Sequence, residues 1–320
     1  MSTTAVTLRT WGIATARTLD DWAALGRSFL SSDLKCSPVA GTSADGTARA
    51  SDSVRVATWL PSGPPATGGT CPGASTYCHN PDGTLVCYSD RLERGRPALG
   101  RIVAERLRVW QSLTQGEKTT LCAAIIQQTI RMQTEPGPLS THAGHPVAAP
   151  ILRIGAGGDL DTVGTGQAWA DALHWAVDQY PTFRAWIYSR SYGLDGVDDP
   201  LGPLADAITH GRLPNLTAYL STDPAMIGRT RRALRSRRYS HLPVAVLADD
   251  RAQALAILDD LGRNPARRLV CPTDRAAHPW PLAMRRPEEP YARGACARCT
   301  ACIAPAGSRD WTNDIIFVRR

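Results

Sequence analysis

Short apolar runs recur at nearly even intervals through the second half of the sequence. They begin near Ile151, Phe183, Leu216, Val244 and Arg268, at spacings of 32, 33, 28 and 24 residues. Helix-like stretches separate them, with apolar residues three and four positions apart. Because a strand with its crossover helix takes about 30 residues, this spacing predicts a parallel sheet built from successive strand–helix units.

Residues 54–60 (VRVATWL) predict an earlier strand and bring the number of parallel strands to about six. We expect an α/β fold, a partial (β/α) barrel, with an open doubly wound sheet as the alternative. Residues 1–50 would form an N-terminal extension and residues 51–270 the barrel-like domain. Residues 271–320 would form a cysteine-rich, metal-binding extension packed on the barrel, in which residues 315–318 predict an edge strand.

Seven of the nine cysteines fall into two groups. The first group is Cys71, Cys78 and Cys87, and the second is Cys271, Cys296, Cys299 and Cys302. Clustered cysteines in a chain without a secretory signal favour metal binding over disulfides. The second group predicts a four-thiolate site for zinc or an iron–sulfur cluster. The first could hold a [4Fe–4S] cluster with one open iron, or Zn²⁺ with His79 or a water, and ligands from both groups could share one site.

Polar residues follow several of the predicted strands, where parallel α/β folds bind their ligands. Asp159 follows a glycine-rich turn and is a candidate general base, nucleophile or substrate anchor, or else a helix cap. Asp223 precedes Pro224 and either caps a helix or shares acid–base work with Asp159. Arg190 lies between two serines and could bind a carboxylate or a phosphate.

The net charge of +7 permits a polyanionic partner. Residues 229–238 contain six arginines and no acidic residue, which indicates either a solvated helix end or contacts to a phosphate backbone. For the second interpretation, the candidate nucleic-acid-binding residues are Arg231, Arg232, Arg235 and Arg238.

No apolar run reaches the roughly 18 residues of a membrane helix, so we expect no membrane span. The first residues have no basic region followed by an apolar one. A secretory signal is therefore not expected, and the cytoplasm is the predicted compartment.

Several ordered motifs give the sequence a family resemblance. They are CPGAS at residues 71–75 with Cys78 and Cys87, LRIGAGGD at 152–159, the helix with Trp169 and Trp175, AWIYSRS at 185–191, PNLTAYLSTD at 214–223, and Cys271 with the three later cysteines. In these motifs the chain resembles the bacteriophage gene-product-88 family from about residue 54 to residue 302. The resemblance implies a phage or prophage origin and an infected host cell as the location, and it brings no assigned activity.

Two further likenesses concern chemistry. Radical-SAM barrels are similar in carrying three cysteines after the first strand, which there hold a [4Fe–4S] cluster that binds SAM, although Cys71, Cys78 and Cys87 are spaced differently from the usual Cys-x3-Cys-x2-Cys. Barrels of the guanine transglycosylase type are similar in having carboxylates at strand ends and a cysteine-rich zinc site. That likeness implies that Asp159 or Asp223 acts as nucleophile and base.

The leading expectation is an iron–sulfur, radical-SAM-like enzyme that acts on nucleic acid or a nucleotide, with Asp159, Asp223 and Arg190 as catalytic residues. A zinc-dependent enzyme that exchanges DNA bases is one alternative. A non-catalytic module with structural metal, binding nucleic acid or a host protein, is another. The sequence leaves the oligomeric state open.

Overall fold

The computed structural model describes residues 18–32, 55–78, 87–134, 150–194, 199–271, 302 and 313–318. These residues form an α/β fold with one mixed sheet of eight strands and helices packed against it. The strands are β1 (Leu30–Ser32), β2 (Arg55–Trp59), β3 (Ile151–Gly157), β4 (Arg184–Ser189), β5 (Leu216–Thr222), β6 (Val244–Ala248), β7 (Arg268–Val270) and β8 (Asp314–Val318). The helices in the same ranges are α1 (Leu19–Phe29), α2 (Tyr88–Gly95), α3 (Pro97–Ser112), α4 (Gln115–Thr134), α5 (Val163–Gln179), α6 (Gly202–Thr209), α7 (Ile227–Leu234) and α8 (Arg251–Asp260).

The strand order is β1-β2-β3-β4-β5-β6-β8-β7. Only β1 runs antiparallel to its neighbour among the described strands. The predicted parallel α/β sheet is therefore confirmed. The barrel is not confirmed, because β1 and β7 leave two open edges, and the described sheet has eight strands rather than about six.

Residues 315–318 form a strand, as predicted, but the prediction that this strand lies at an edge of the sheet is wrong. These residues belong to β8, which lies between β6 and β7 and pairs in parallel with both. Ile315 and Ile316 are buried, as expected of an apolar strand with neighbours on both sides. The Asp314 carboxylate fixes the start of β8 by accepting hydrogen bonds from Val244 N at 2.7 Å and Arg263 Nε at 2.9 Å.

Parts of both predicted extensions belong to this sheet. At the N-terminal side, Thr18 caps α1 by accepting a hydrogen bond from Asp21 N, and α1 then packs on α4 while β1 pairs with β2. At the C-terminal side, β8 occupies an interior position in the strand order. Both segments therefore contribute strands to the same sheet as the segments between them.

The main apolar core lies between the sheet and helices α1, α3, α4, α5 and α6. Leu216 and Leu220 of β5 point into this core, whereas Tyr219 points to the opposite face of the sheet, since side chains alternate along a strand. On that opposite face, Tyr188 packs with both Tyr219 and Phe317. No helix within the described ranges is long and apolar enough to cross a bilayer.

Candidate functional site at the strand ends

One loop runs along the carboxyl ends of four neighbouring strands. We call residues 70–78 the strand-end loop. It begins beyond β3, where Thr70 Oγ1 accepts a hydrogen bond from Asp159 N at 3.2 Å. It then passes directly over the residue that follows β4, because a Cβ atom added at Gly73 would lie 1.8 Å from the carbonyl oxygen of Arg190. Only glycine fits such a close approach of two backbones.

The strand-end loop continues over the next two strands. Beyond β5, the hydroxyl of Ser75 donates a hydrogen bond to Asp223 Oδ2 at 2.5 Å. Beyond β6, the hydroxyl of Tyr77 donates to Asp249 Oδ1 at 2.6 Å. The loop therefore meets the ends of β3, β4, β5 and β6 in their order across the sheet.

Arg190 lies at the centre of this arrangement. Its backbone N–H donates to Asp159 Oδ2 at 2.6 Å. Its Nη1 atom forms an ion pair with Asp223 and also lies 3.3 Å from Ser75 Oγ and 3.2 Å from Met226 Sδ. The Arg190 side chain is 12% exposed and that of Asp223 is fully buried. The structure thus brings together the three residues that the sequence analysis predicted as catalytic.

The charge on Arg190 is maintained despite its burial. Burial acts to lower the pKa of Arg190, but the neighbouring Cys78 thiol and Asp223 carboxylate outweigh it and raise the pKa overall. The guanidinium is therefore a permanent positive charge beside the strand-end loop.

Asp159 does not cap the helix that follows it. The cap of α5 is Thr162, whose side chain accepts a hydrogen bond from Thr165 N. The carboxylate of Asp159 instead accepts backbone N–H groups from Leu160, at 2.7 Å, and from Arg190. Burial raises the pKa of Asp159, and these two backbone hydrogen bonds only partly oppose that rise.

Asp223 combines both of its predicted roles. Its Oδ1 atom accepts a hydrogen bond from Ala225 N at 2.8 Å and so caps the short helical turn Pro224–Met226. Its Oδ2 atom takes the contacts from Arg190 and Ser75. Both oxygens of this buried carboxylate are therefore occupied by protein groups.

The first cysteine group lies at the same edge of the sheet. The pKa of Cys71 is raised well above its ordinary value. Burial is the largest cause, the charge of Asp159 is the next, and Cys87 and Cys78 raise the pKa further. Burial also raises the pKa of Cys87, against the effect of backbone hydrogen bonds from Asp90 and Ser89. The backbone N–H of Cys87 donates to the carbonyl of Cys78 at 3.0 Å.

These cysteines are neighbours but do not form a finished metal site. Within the described ranges, no three Cys, His, Asp or Glu side chains are spaced to hold a metal ion as they stand. His79, the additional ligand considered for zinc, lies outside those ranges.

Two members of the second cysteine group, Cys271 and Cys302, contact the sheet face that carries Tyr219. Cys271 follows β7 and is buried there, with Cys302 packed against the same cluster. The hydroxyl of Tyr188 donates to Cys302 Sγ at 2.7 Å, and its pKa is raised, mainly by burial and then by Cys302. Cys296 and Cys299, the other predicted ligands, lie outside the described residues.

The arginine run is partly neutralised by the fold. Arg231 forms an ion pair with Asp260, and Arg238 forms ion pairs with Asp206 and Asp199. The other two candidates, Arg232 and Arg235, are exposed. At least two of the four predicted nucleic-acid contacts, Arg231 and Arg238, therefore already have carboxylate partners within the chain.

No sequence motif by itself predicts Ser75, Tyr77 or Thr70 as site residues. The signal that could have found them is their position between cysteines, or just before one, in the loop that follows the first predicted strand. Such loops face the ligand site of parallel sheets, so any polar residue within them is a candidate.

One known family matches the sequence over the residues of the candidate site. The family described as Gene product 88 matches residues 36–305, a range that includes the strand-end loop, Asp159, Arg190 and Asp223. No curated protein and no solved structure matches the chain, and nothing in these comparisons supports the likeness to radical-SAM barrels. Because the match covers most of its 320 residues, the chain belongs to the gene product 88 family.

Proposed function

We propose that this protein is a metal-dependent enzyme that acts on a nucleic acid or a nucleotide at the carboxyl edge of its sheet. One observation carries the proposal: the strand-end loop brings Cys78 next to the buried pair of Arg190 and Asp223, and Cys71 next to Asp159. Burying an ion pair costs desolvation energy, and buried charges of this kind concentrate at functional sites.

The chemistry of the thiols supports a bound cation. Cys78 and Cys87 disfavour the thiolate form of Cys71, and Cys78 also disfavours that of Cys87. A metal ion among the three thiols would reverse that penalty. Backbone N–H groups of Ser89 and Asp90 already point to Cys87, as hydrogen bonds to ligand thiolates do. Because the thiols are not yet spaced for an ion, binding requires them to move together.

The three cysteines fit either an iron–sulfur cluster with one open position or a zinc ion with one further ligand. A cluster would supply electron transfer at this edge, with SAM as the cosubstrate in the radical reaction, and zinc would supply Lewis acidity. We favour the cluster because three protein thiolates are sufficient to hold it.

For the carboxylates we propose positioning roles. Asp159 holds the backbone of Arg190 and Asp223 holds its guanidinium, so together they fix one cation at the site. A base-exchange enzyme needs a carboxylate nucleophile that reaches the substrate. Asp223 is fully buried with both oxygens occupied, which places the base-exchange alternative second.

A nucleic-acid substrate is supported by the net charge of +7 and by exposed arginines such as Arg232 in the last turn of α7 and Arg235 just after it. The gene product 88 family is a bacteriophage family, which supports a role during phage growth in the infected cell.

The test is the metal and acid-labile sulfide content of full-length protein purified without oxygen. We expect iron and sulfide in the wild type, lost in Cys71→Ser, Cys78→Ser and Cys87→Ser. Cys122→Ala is the matched control, because Cys122 is buried within α4 in the apolar core. Zinc alone would overturn the iron–sulfur assignment, and the absence of any metal would overturn the metal-dependent enzyme.

A further inference from the structure

Among the described residues, the guanidinium of Arg190 makes its contacts through one of its three nitrogens. All of its side-chain contacts, to Asp223, Ser75 and Met226, are made by Nη1. Its Nε and Nη2 atoms make no hydrogen bond with any described residue, and neither atom is sealed from solvent. Two charged donors are therefore available at the strand ends.

These two donors form one edge of the guanidinium plane. Nε–H and Nη2–H point in parallel from that edge, and together they match the two oxygens of a carboxylate or of a phosphate. A bidentate contact of this kind is shorter and stronger than a single hydrogen bond between neutral groups.

The orientation of this edge is fixed before any ligand arrives. Asp159 holds the backbone N–H of Arg190, and Asp223 with Ser75 holds the Nη1 end of its side chain. Such fixing removes the cost of ordering a long side chain when the ligand binds. It also leaves the Nε–Nη2 edge as the part that faces away from Asp223.

A second cation lies close by. Arg229 Nη1 lies 3.4 Å from the carbonyl oxygens of Gly73 and Arg190, and Arg229 forms no ion pair with any described residue. Asp223 neutralises Arg190, whereas Asp159 is bonded to backbone N–H groups. The charge of Arg229 therefore remains available to attract an anion to this end of the sheet.

From this geometry we propose that Arg190 is an oxyanion-binding residue, which takes a carboxylate or phosphate group of the substrate on its Nε–Nη2 edge. The inference rests on the proposed function, because it assigns a ligand class to the same site. It adds the anchoring group of the substrate and makes Arg190 a binding residue rather than an acid or base.

The experiment is isothermal titration of full-length protein with inorganic phosphate and, separately, with acetate. Binding of phosphate alone would identify a phosphate ester as the anchoring group, and binding of acetate alone a carboxylate. If neither anion binds the wild type at concentrations up to tens of millimolar, the proposal is overturned.

The decisive variant is Arg190→Lys, which keeps the positive charge beside Asp223 but removes the paired donors. We expect it to weaken binding of the anion at least about tenfold. The matched control is Arg184→Lys, because Arg184 lies at the opposite end of the same strand and bonds to the carbonyls of Pro181 and Phe183. Unchanged affinity in Arg190→Lys would contradict the assignment.

A double variant tests whether loss of anion binding could result from loss of folding. Arg190→Met with Asp223→Asn removes both buried charges at once, so neither is left unpaired. We expect thermal unfolding to show a folded protein and titration to show that it binds neither anion.

Repeating the titration with Cys78→Ser separates the anion-binding proposal from the metal proposal. Loss of metal in this variant with anion binding retained is the expected result and would show that the two sites are independent. A wild type without metal that still binds the anion would count against the metal centre alone, whereas a metal-loaded wild type that binds no anion would count against Arg190.

Discussion

The hydroxyl oxygen of Ser75 lies 2.5 Å from Oδ2 of Asp223, a residue 148 positions further along the chain. The same Oδ2 atom is paired with Arg190. The strand-end loop is therefore hydrogen-bonded to the carboxylate that holds Arg190. A substitution in the loop should consequently affect the pair of Arg190 and Asp223.

Removing the Ser75 hydroxyl should loosen this connection. A hydrogen bond to a charged group contributes about 1.5–3 kcal/mol, so Ser75→Ala should lower the free energy of unfolding by roughly that amount. Chemical denaturation measures it, with limited proteolysis to report opening of the loop. Ser240→Ala, at an exposed serine, is the control and should have little effect. Equal stability of the two variants would show that the contact with Asp223 is not formed in solution.

The pair of Arg190 and Asp223 should behave as one unit. Breaking a buried ion pair by removing one partner typically costs about 3–5 kcal/mol, because the other charge is left unpaired. We expect Asp223→Ala and Arg190→Ala each to be strongly destabilising, and the double variant to lose clearly less than their sum. A double-mutant cycle from denaturant unfolding measures this coupling. Simple additivity would mean that the two side chains act independently.

A methyl group at residue 73 should displace the strand-end loop. Its Cβ would meet the Arg190 carbonyl, so Gly73→Ala should destabilise the protein and raise the reactivity of Cys71 and Cys78 towards iodoacetamide. Gly228→Ala is the matched control, because Gly228 lies in α7 and a Cβ there meets nothing within 4 Å. In the control, the better helix propensity of alanine should add up to about 1 kcal/mol. A Gly73→Ala protein as stable as the wild type would contradict the backbone contact.

The pH dependence of stability should reveal the burial of Asp159. Its folded-state pKa is raised, so the folded protein binds this proton more tightly than the unfolded chain. The resulting stabilisation is complete below the ordinary carboxyl pKa and is lost as pH rises through the raised value. The difference in unfolding free energy between wild type and Asp159→Asn should therefore decline over that range, as unfolding curves at several pH values would show. The opposite trend would mean that hydrogen bonds to the charged carboxylate outweigh burial.

Salt dependence should distinguish free from paired arginines. Arg235 and Arg237 are exposed beyond the end of α7, whereas Arg231 and Arg238 have aspartate partners. If the run contacts phosphates, Arg235→Ala with Arg237→Ala should reduce the slope of log affinity against log salt by about 2 for duplex DNA. Arg231→Ala with Arg238→Ala should change it less. Identical slopes in all three proteins would assign the run to the solvated surface.

Local patterns were sufficient to predict most of the sheet. The apolar runs near Ile151, Leu216 and Val244 mark the starts of β3, β5 and β6, because both the strand signal and its glycine or proline boundary are local in sequence. The neighbours of a strand are not local. A four-residue apolar run at 315–318 predicts a strand, but nothing within it tells that β6 and β7 lie on either side.

The same distinction applies to the site. The sequence could place Asp159, Arg190 and Asp223 at one edge, because carboxyl ends of parallel strands meet there. It could not predict that Asp223 is shared between a helical cap, Ser75 and Arg190, or that Asp260 neutralises Arg231. These contacts join residues far apart in the chain, and their geometry depends on the packed fold.

The length of the strand-end loop matches the distance across four strands of the sheet. Four adjacent strands span about 14 Å, at roughly 4.8 Å a step, and Thr70, Gly73, Ser75 and Tyr77 meet one strand end each. An insertion or deletion of one residue between Thr70 and Tyr77 would put every later side chain over the wrong strand. Length differences among related chains should therefore fall before residue 70 or after residue 78, and this interval should keep a constant length wherever the site is kept.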